Sequence, residues 1–274
     1  MTETTRSQSP ALHEDILDYY ARGKEDARLR QGGAPAGRLE FWRTQDVLRR
    51  VLPPAPARVL DVGGGSGVHA EWLARDGYGV RLLDPVPLHV EQAARLPGVS
   101  ARSGDARSLP DEDASYDAVL LLGPLYHLLE RADRVRALAE AHRVVRPGGP
   151  VVAATINRFA GLHDLLREER YFDPEQRART DAANSDGRHG AQGLFTVAYF
   201  AQPAEVPGEF TDAGLVPEGQ YGLEGLAWLM AGVEDWLDDP VRREVVLAAC
   251  RRIESEPTLL GASGHLLTVG RRQP

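Results

Sequence analysis

A chain of 274 residues with 42% hydrophobic and 26% charged side chains can build one large α/β domain or two small ones. Its formal net charge of −8 argues against a general nucleic-acid or anionic-membrane surface, because both need clustered positive charge. Cys250 is the single cysteine, so no internal disulfide can form, and no apolar run nears the roughly 20 residues of a bilayer span; with a polar Met1–Pro10, a cytoplasmic protein is expected.

In chain order, a frayed tail is followed by a helix announced by Ser9-Pro10, with Leu12, Ile16, Tyr19 and Tyr20 at helical spacing. Gln31 to Gly37 reads as a loop, and a second helix runs from about Arg38 to Val51, stopped by Pro53-Pro54. Short apolar runs then alternate with helices. Arg58–Val62, Gly79–Asp84, Val99–Ala101, Ala118–Leu122 and Val151–Ile156 are strands, with helices starting near Val68, Pro87 and Arg131. Val135, Leu138, His142 and Val145 share one face of the last helix. Such alternation builds right-handed βαβ units and a parallel sheet, with a ligand crevice at the carboxyl ends of the strands. The charged stretch Arg158 to Gly193 has no strand signal and reads as an inserted helical lid. Beyond it come a helix or turn near Pro203–Gly214, a strand near Leu215–Tyr221, helices near Leu226–Leu237 and Pro240–Glu254, and a last strand His265–Arg271. One domain is expected from four stretches: an N-terminal helical cap (1–52), a core (53–157), the lid (158–200) and a return to the core (201–274).

The strongest chemical signal is Asp61-Val62-Gly63-Gly64-Gly65-Ser66-Gly67, where an apolar strand runs into a glycine-rich turn that opens a helix. Glycine serves where the backbone takes positive φ, or where a ligand approaches without meeting a Cβ. The spacing is Asp-x-Gly-x-Gly-x-Gly, and Val68 stands where the third glycine of a dinucleotide fingerprint would fall. Asp84 ends the next strand about twenty residues on, where an acid can accept from both ribose hydroxyls of a nucleoside.

On these residues the sequence resembles the class I S-adenosylmethionine-dependent methyltransferases. Gly104-Asp105-Ala106, Tyr116–Leu122 and Arg146-Pro147-Gly148-Gly149 match further motifs in order. The resemblance implies a Rossmann-like, doubly wound and mostly parallel sheet of order 3-2-1-4-5-7-6, its last strand antiparallel. It implies S-adenosyl-L-methionine as cofactor and S-adenosyl-L-homocysteine as product, held by Gly63, Gly64, Gly65, Asp84, Pro85, Asp105 facing the adenine amine, Ala106, and Leu122 at the fourth strand's end. Backbone carbonyls near Gly63 suit the cofactor's ammonium, and Arg43 on the second helix is the expected partner of its carboxylate.

The segment Gly123-Pro124-Leu125-Tyr126-His127-Leu128 resembles a loop found in a subset of bacterial small-molecule methyltransferases. It lies at the crevice, so Tyr126 should pack on the cofactor, and His127 is a candidate general base. Cofactor contact and plain structural packing stay open for His127. Tyr20 is a candidate site residue from the first helix, while Phe41, Trp42, Tyr171 and Phe172 are candidate walls of an aromatic pocket. The histidines show no metal-ligand spacing, so no metal is expected. A small-molecule acceptor is the leading expectation for the partner, with an aromatic or heteroaromatic natural product preferred and C-, N- and O-methylation all open. An RNA or protein methyltransferase, an NAD(P)-dependent oxidoreductase and a non-catalytic binder of S-adenosylmethionine remain alternatives.

Overall fold

A computed structural model of the chain describes residues 14–21, 37–190 and 195–274. The polar tail, Leu12 and most of the expected loop ahead of the second helix lie outside these residues.

Five parallel strands form the centre: β1 (Arg58–Val62), β2 (Gly79–Asp84), β3 (Val99–Ser103), β4 (Ala118–Leu121) and β5 (Pro150–Ile156). β8 (Val216–Gly222) and β9 (His265–Arg271) complete the sheet in the order β3-β2-β1-β4-β5-β9-β8. β9 runs antiparallel to both its neighbours. This is the expected arrangement, with the sheet's sixth and seventh strands in sequence standing as β8 and β9 in the chain.

Every residue of β4 and β5 is buried, as the unbroken apolar runs require of strands covered on both faces. On one face lie α2 (Gly37–Val51), through Val47 and Leu48, and α3 (Val68–Arg75), through Trp72 and Leu73. α5 (Arg131–Val144) covers the other through Ala137, Leu138, Ala141 and Val144, joined by Phe210 of α8 (Val206–Asp212). Val135 packs only partly against this core and His142 is half-buried, because the α5 stripe is centred closer to its small alanines. α4 (Pro87–Ala93) follows β2. Each fully buried leucine or valine in this sandwich contributes about 1.5–3 kcal/mol.

The lid contains α6 (Ala160–Arg167) and α7 (Pro174–Asp186), the latter capped by Asp173 and ended by Gly187 at φ 81°. It also contains a two-stranded ribbon, β6 (Arg188–His189) against β7 (Ala198–Tyr199), where no strand was expected. Two-residue strands carry no readable periodicity. The expected helix over Leu226–Leu237 is broken into a 3₁₀ turn, Ala227–Leu229, and the short α9 (Val233–Trp236), because Gly232 sits at φ 78°. α10 (Pro240–Ile253) starts at Asp239, whose carboxylate accepts from the Val241 and Arg242 amides. Among the described residues no helix is long and apolar enough to cross a membrane.

α1 (Glu14–Ala21) is anchored by Ile16, which is buried, and by Thr196 Oγ1, which donates to the Asp15 carbonyl at 3.0 Å. This contact lays α1 on the end of the lid, beside the carboxyl ends of the central strands.

Candidate active site

The turn after β1 opens a crevice at the carboxyl ends of the strands, lined by the glycine turn, the ends of β1 and β2, Gly104–Ala106, the loop after β4 and Tyr20 of α1. Gly63, Gly65 and Gly67 take φ of 67°, 60° and 90°, the region that glycine enters without strain. Gly64 is needed for a different reason: a Cβ there would stand 2.6 Å from both Asp61 Oδ2 and Leu82 Cδ1.

Asp84 ties this turn to the end of β2. Its Oδ2 accepts from the Gly65 amide at 2.9 Å, and its Oδ1 accepts from the Val86 amide at 2.9 Å and lies 3.1 Å from His89 Nδ1. Pro85, Ala106 and Leu122 line the same crevice, as does Asp105. Asp105 accepts from the Arg107 amide and guanidinium, and although burial opposes its charge, Arg107 holds the carboxyl below the usual aspartate range.

Asp61 also faces the crevice, completely buried at the end of β1. Neither of its carboxylate oxygens has a hydrogen-bond partner among the described residues. Burial, followed by the charge of Asp84, pushes its carboxyl up to about 7. A buried carboxylate with no donor is costly unless something supplies one. The sequence reading assigned Asp61 no role, though an acid within the apolar run Val59–Val62 was the available signal. His69, His89 and Glu40 line the crevice as well and were equally unassigned. His69 Nδ1 accepts from the Trp72 indole N–H at 3.2 Å, so its Nε2 carries the ring proton of the neutral form.

At the other end, Tyr20 of α1 and His127 of the loop after β4 meet, with Tyr20 Oη 2.7 Å from His127 Nε2. His127 Nδ1 lies 3.1 Å from the Val197 carbonyl. A carbonyl only accepts, so Nδ1 bears the proton and Nε2 is left to accept from the Tyr20 hydroxyl. Burial lowers the His127 imidazole to about 4, against weaker opposing pulls from Val197 and Asp84, and the ring is neutral at pH 7. Phe195 stacks on His127 with centroids 5.7 Å apart, and Tyr126 meets it edge-on at 4.7 Å.

Arg43 stands elsewhere, and its expected role with a cofactor carboxylate is corrected. Its side chain is wholly buried on α2, donating to the Leu223 carbonyl at 2.9 Å and pairing with Asp46 and Glu254. All its donating edges face protein, because a buried guanidinium must be satisfied where it is buried. The expected aromatic walls also lie outside the crevice. Phe41 packs against the core, Trp42 lies under the Arg243 guanidinium at 4.4 Å, Tyr171 donates to Asp181, and Phe172 is 74% exposed. Tyr20 of α1 and Tyr126 with His127 of the loop after β4 line the site instead, with Phe195 of the lid packed against the latter two.

Glu40, Glu224 and His265 place donor atoms within 4.8 Å of one another, a grouping that spacing in sequence did not reveal. Glu224 accepts there from Ser263 Oγ and the His265 amide, with His265 Nδ1 at 2.6 Å.

Residues 59–149 match the family described as a methyltransferase domain. The chain is 36% identical over 169 residues to a ubiquinone biosynthesis O-methyltransferase of Methylocella silvestris, covering 52% of this chain and 64% of that protein. It is 33% identical over 238 residues to the ubiquinone biosynthesis O-methyltransferase of Xanthomonas axonopodis pv. citri, covering 83% of this chain and 91% of that one. The chain thus spans 64% of the length of the first of these relatives, and 48% of three mycobacterial ones. In fold it is similar to a SAM-dependent methyltransferase from Methanosarcina mazei, with a TM-score of 0.56 at 18% identity over 83% of this chain and 97% of that one. On the relative matched along nine-tenths of its length, the family match and the seven-stranded sheet, the chain belongs to the class I S-adenosylmethionine-dependent methyltransferases.

Proposed function

We propose that this chain methylates a hydroxyl group on a small aromatic molecule, with S-adenosylmethionine bound along the glycine turn and the acceptor between α1 and the loop after β4. The observation that carries this reading is the Tyr20–His127–Val197 hydrogen-bonded chain, set in the same crevice as the Gly63–Gly65 turn and Asp84.

The residues present fit the cofactor. Asp61 offers a buried carboxylate without a donor, suited to an ammonium group, and Gly64 keeps open the space beside it. Asp84 would receive the ribose hydroxyls and Asp105 with Ala106 the adenine, while Gly63, Pro85, Leu122 and Tyr126 form walls. No residue is assigned to the cofactor's carboxylate. When bound, S-adenosylmethionine supplies a methyl group on a sulfonium, an electrophile that needs no further activation. The chain's own contribution is alignment of the acceptor and removal of its proton. Neutral His127 suits the second task even at its low basicity, because the acceptor proton grows strongly acidic as the oxygen takes on the methyl. In this reading residues 53–157 hold the cofactor, while the 1–52 cap and the end of the 158–200 lid enclose the acceptor.

The O-methylation in ubiquinone biosynthesis for which the two relatives are named supports a hydroxyl acceptor. A polyanionic acceptor such as RNA is disfavoured by the acidic crevice. The test is incubation with S-adenosylmethionine and a panel of phenols and catechols, following S-adenosylhomocysteine. Turnover with at least one panel member is expected. Tight cofactor binding without turnover of any acceptor class would mark a non-catalytic binder.

A further inference from the structure

We infer that the acceptor binds as an un-ionised phenol carrying no acid group, that it touches the Tyr20 hydroxyl, and that its proton reaches His127 through Tyr20. This rests on the proposed function and specifies its substrate and proton path.

The geometry of the base carries the inference. Neutral imidazole has one lone pair able to accept a proton. His127 Nδ1–H is held by the Val197 carbonyl, and the Nε2 lone pair is met by Tyr20 Oη at 2.7 Å. A substrate hydroxyl therefore has no direct route to His127 while Tyr20 is in place. Tyr20 itself lines the crevice, and a phenol oxygen both donates and accepts. Thr196 fixes the helix that carries it, and His89 meets its ring edge-on at 5.4 Å.

Electrostatics decide the acceptor's charge. The described lining of the crevice holds Glu40, Asp61, Asp84 and Asp105, with no lysine or arginine. Around the acceptor's place, beside Tyr20, Tyr126 and His127, the described lining offers no lysine or arginine, so a phenolate or carboxylate would lose its solvation there with no side-chain cation to replace it. The acceptor therefore arrives protonated, and proton removal must accompany the reaction. In that step the acceptor oxygen bonds the methyl carbon while the carbon–sulfur bond breaks and its electron pair stays on sulfur. The acceptor proton moves to Tyr20 Oη as the Tyr20 proton moves to His127 Nε2, and the imidazolium later releases it to water.

Two measurements test this. The first is binding of 4-nitrocatechol to the protein with S-adenosylhomocysteine, read from the absorbance difference between its ionised and un-ionised forms across pH. Bound probe should ionise at higher pH than free probe, and Tyr20→Phe should weaken its binding about tenfold, one hydrogen bond's worth. Bound probe that ionises at lower pH than free probe overturns the inference. The second compares turnover of catechol and 3,4-dihydroxybenzoate by wild type, Tyr20→Phe and His127→Gln. Both variants should lose roughly 100-fold in kcat, and the carboxylated acceptor should be the poorer by at least about tenfold in kcat/KM. Wild-type kcat in Tyr20→Phe alongside a slow His127→Gln overturns the relay and leaves the proposed function standing. A wild type that binds cofactor yet turns over no phenol overturns both.

Discussion

Asp61 and Asp84 stand at the ends of adjacent parallel strands and face one crevice, but their surroundings are opposite. Asp84 is engaged by the Gly65 and Val86 amides and by His89, whereas both oxygens of Asp61 lack a partner among the described residues. Two acids so close, one satisfied and one not, make a site that attracts a cationic group.

Asp61→Asn should therefore separate binding from stability. Loss of a charge-assisted hydrogen bond should weaken S-adenosylmethionine roughly 10- to 100-fold by calorimetry. The ligand-free protein should melt no lower than wild type, because the substitution removes an unpaired buried charge. A variant that binds as wild type removes Asp61 from the cofactor site.

The same residue makes binding depend on pH. Burial raises the Asp61 carboxyl to about 7, so wild-type cofactor affinity should tighten as pH rises through 7. Asp61→Asn should flatten that profile. For the ligand-free fold the sign is reversed: folded Asp61 keeps its proton where the unfolded chain has lost it, so its contribution to stability declines between about pH 4 and 7.

His127 acts in the opposite sense. Its imidazole is lowered to about 4, so the unfolded chain binds a proton that the folded chain refuses between its ordinary value near 6.5 and about 4. Stability from this group is present above pH 6.5 and is lost as pH falls through that window. Thermal melts of His127→Gln should fall less steeply than wild type from pH 6.5 to 4. Equal slopes would show that His127 is protonated as readily in the fold as outside it.

Arg43→Met should cost roughly 3 kcal/mol of stability, since it leaves Glu254 and Asp46 short of a buried partner, although Arg50 and Arg251 retain part of the pairing. Cofactor affinity measured on the folded fraction should not change. A large loss of affinity at unchanged stability would restore Arg43 to the site.

Two neighbouring glycines should respond differently to alanine. At Gly65 a Cβ meets nothing within 4 Å, so only the positive φ opposes it, at about 1–2 kcal/mol. At Gly64 the Cβ would stand 2.6 Å from Asp61 and Leu82, displacing the carboxylate itself. Gly64→Ala should abolish detectable cofactor binding, while Gly65→Ala should retain it. Equal effects would argue against the cradle around Asp61.

The sheet and the glycine turn were legible because their signals are local. The apolar run of β5 needs burial on both faces, and Gly63, Gly65 and Gly67 mark a turn at positive φ. Contacts set by tertiary packing were not legible in the same way. Arg43 looked like a cation near the crevice, yet its partner Glu254 lies 211 residues away in sequence. Tyr20 and His127 were separate candidates, and the docking of α1 through Ile16 and Thr196 brings them together. The ribbon of β6 and β7 is too short for any periodicity, and the break at Gly232 was masked by apolar residues on either side.

The most direct measurement is a calorimetric titration of folded wild type and Asp84→Asn with S-adenosylmethionine at pH 8. One binding site in wild type, weakened at least about tenfold when the ribose-facing carboxylate becomes an amide, is the predicted result. Absence of binding heat in wild type, or the same affinity in both proteins, would contradict a nucleoside held by Asp84 beside the Gly63–Gly65 turn.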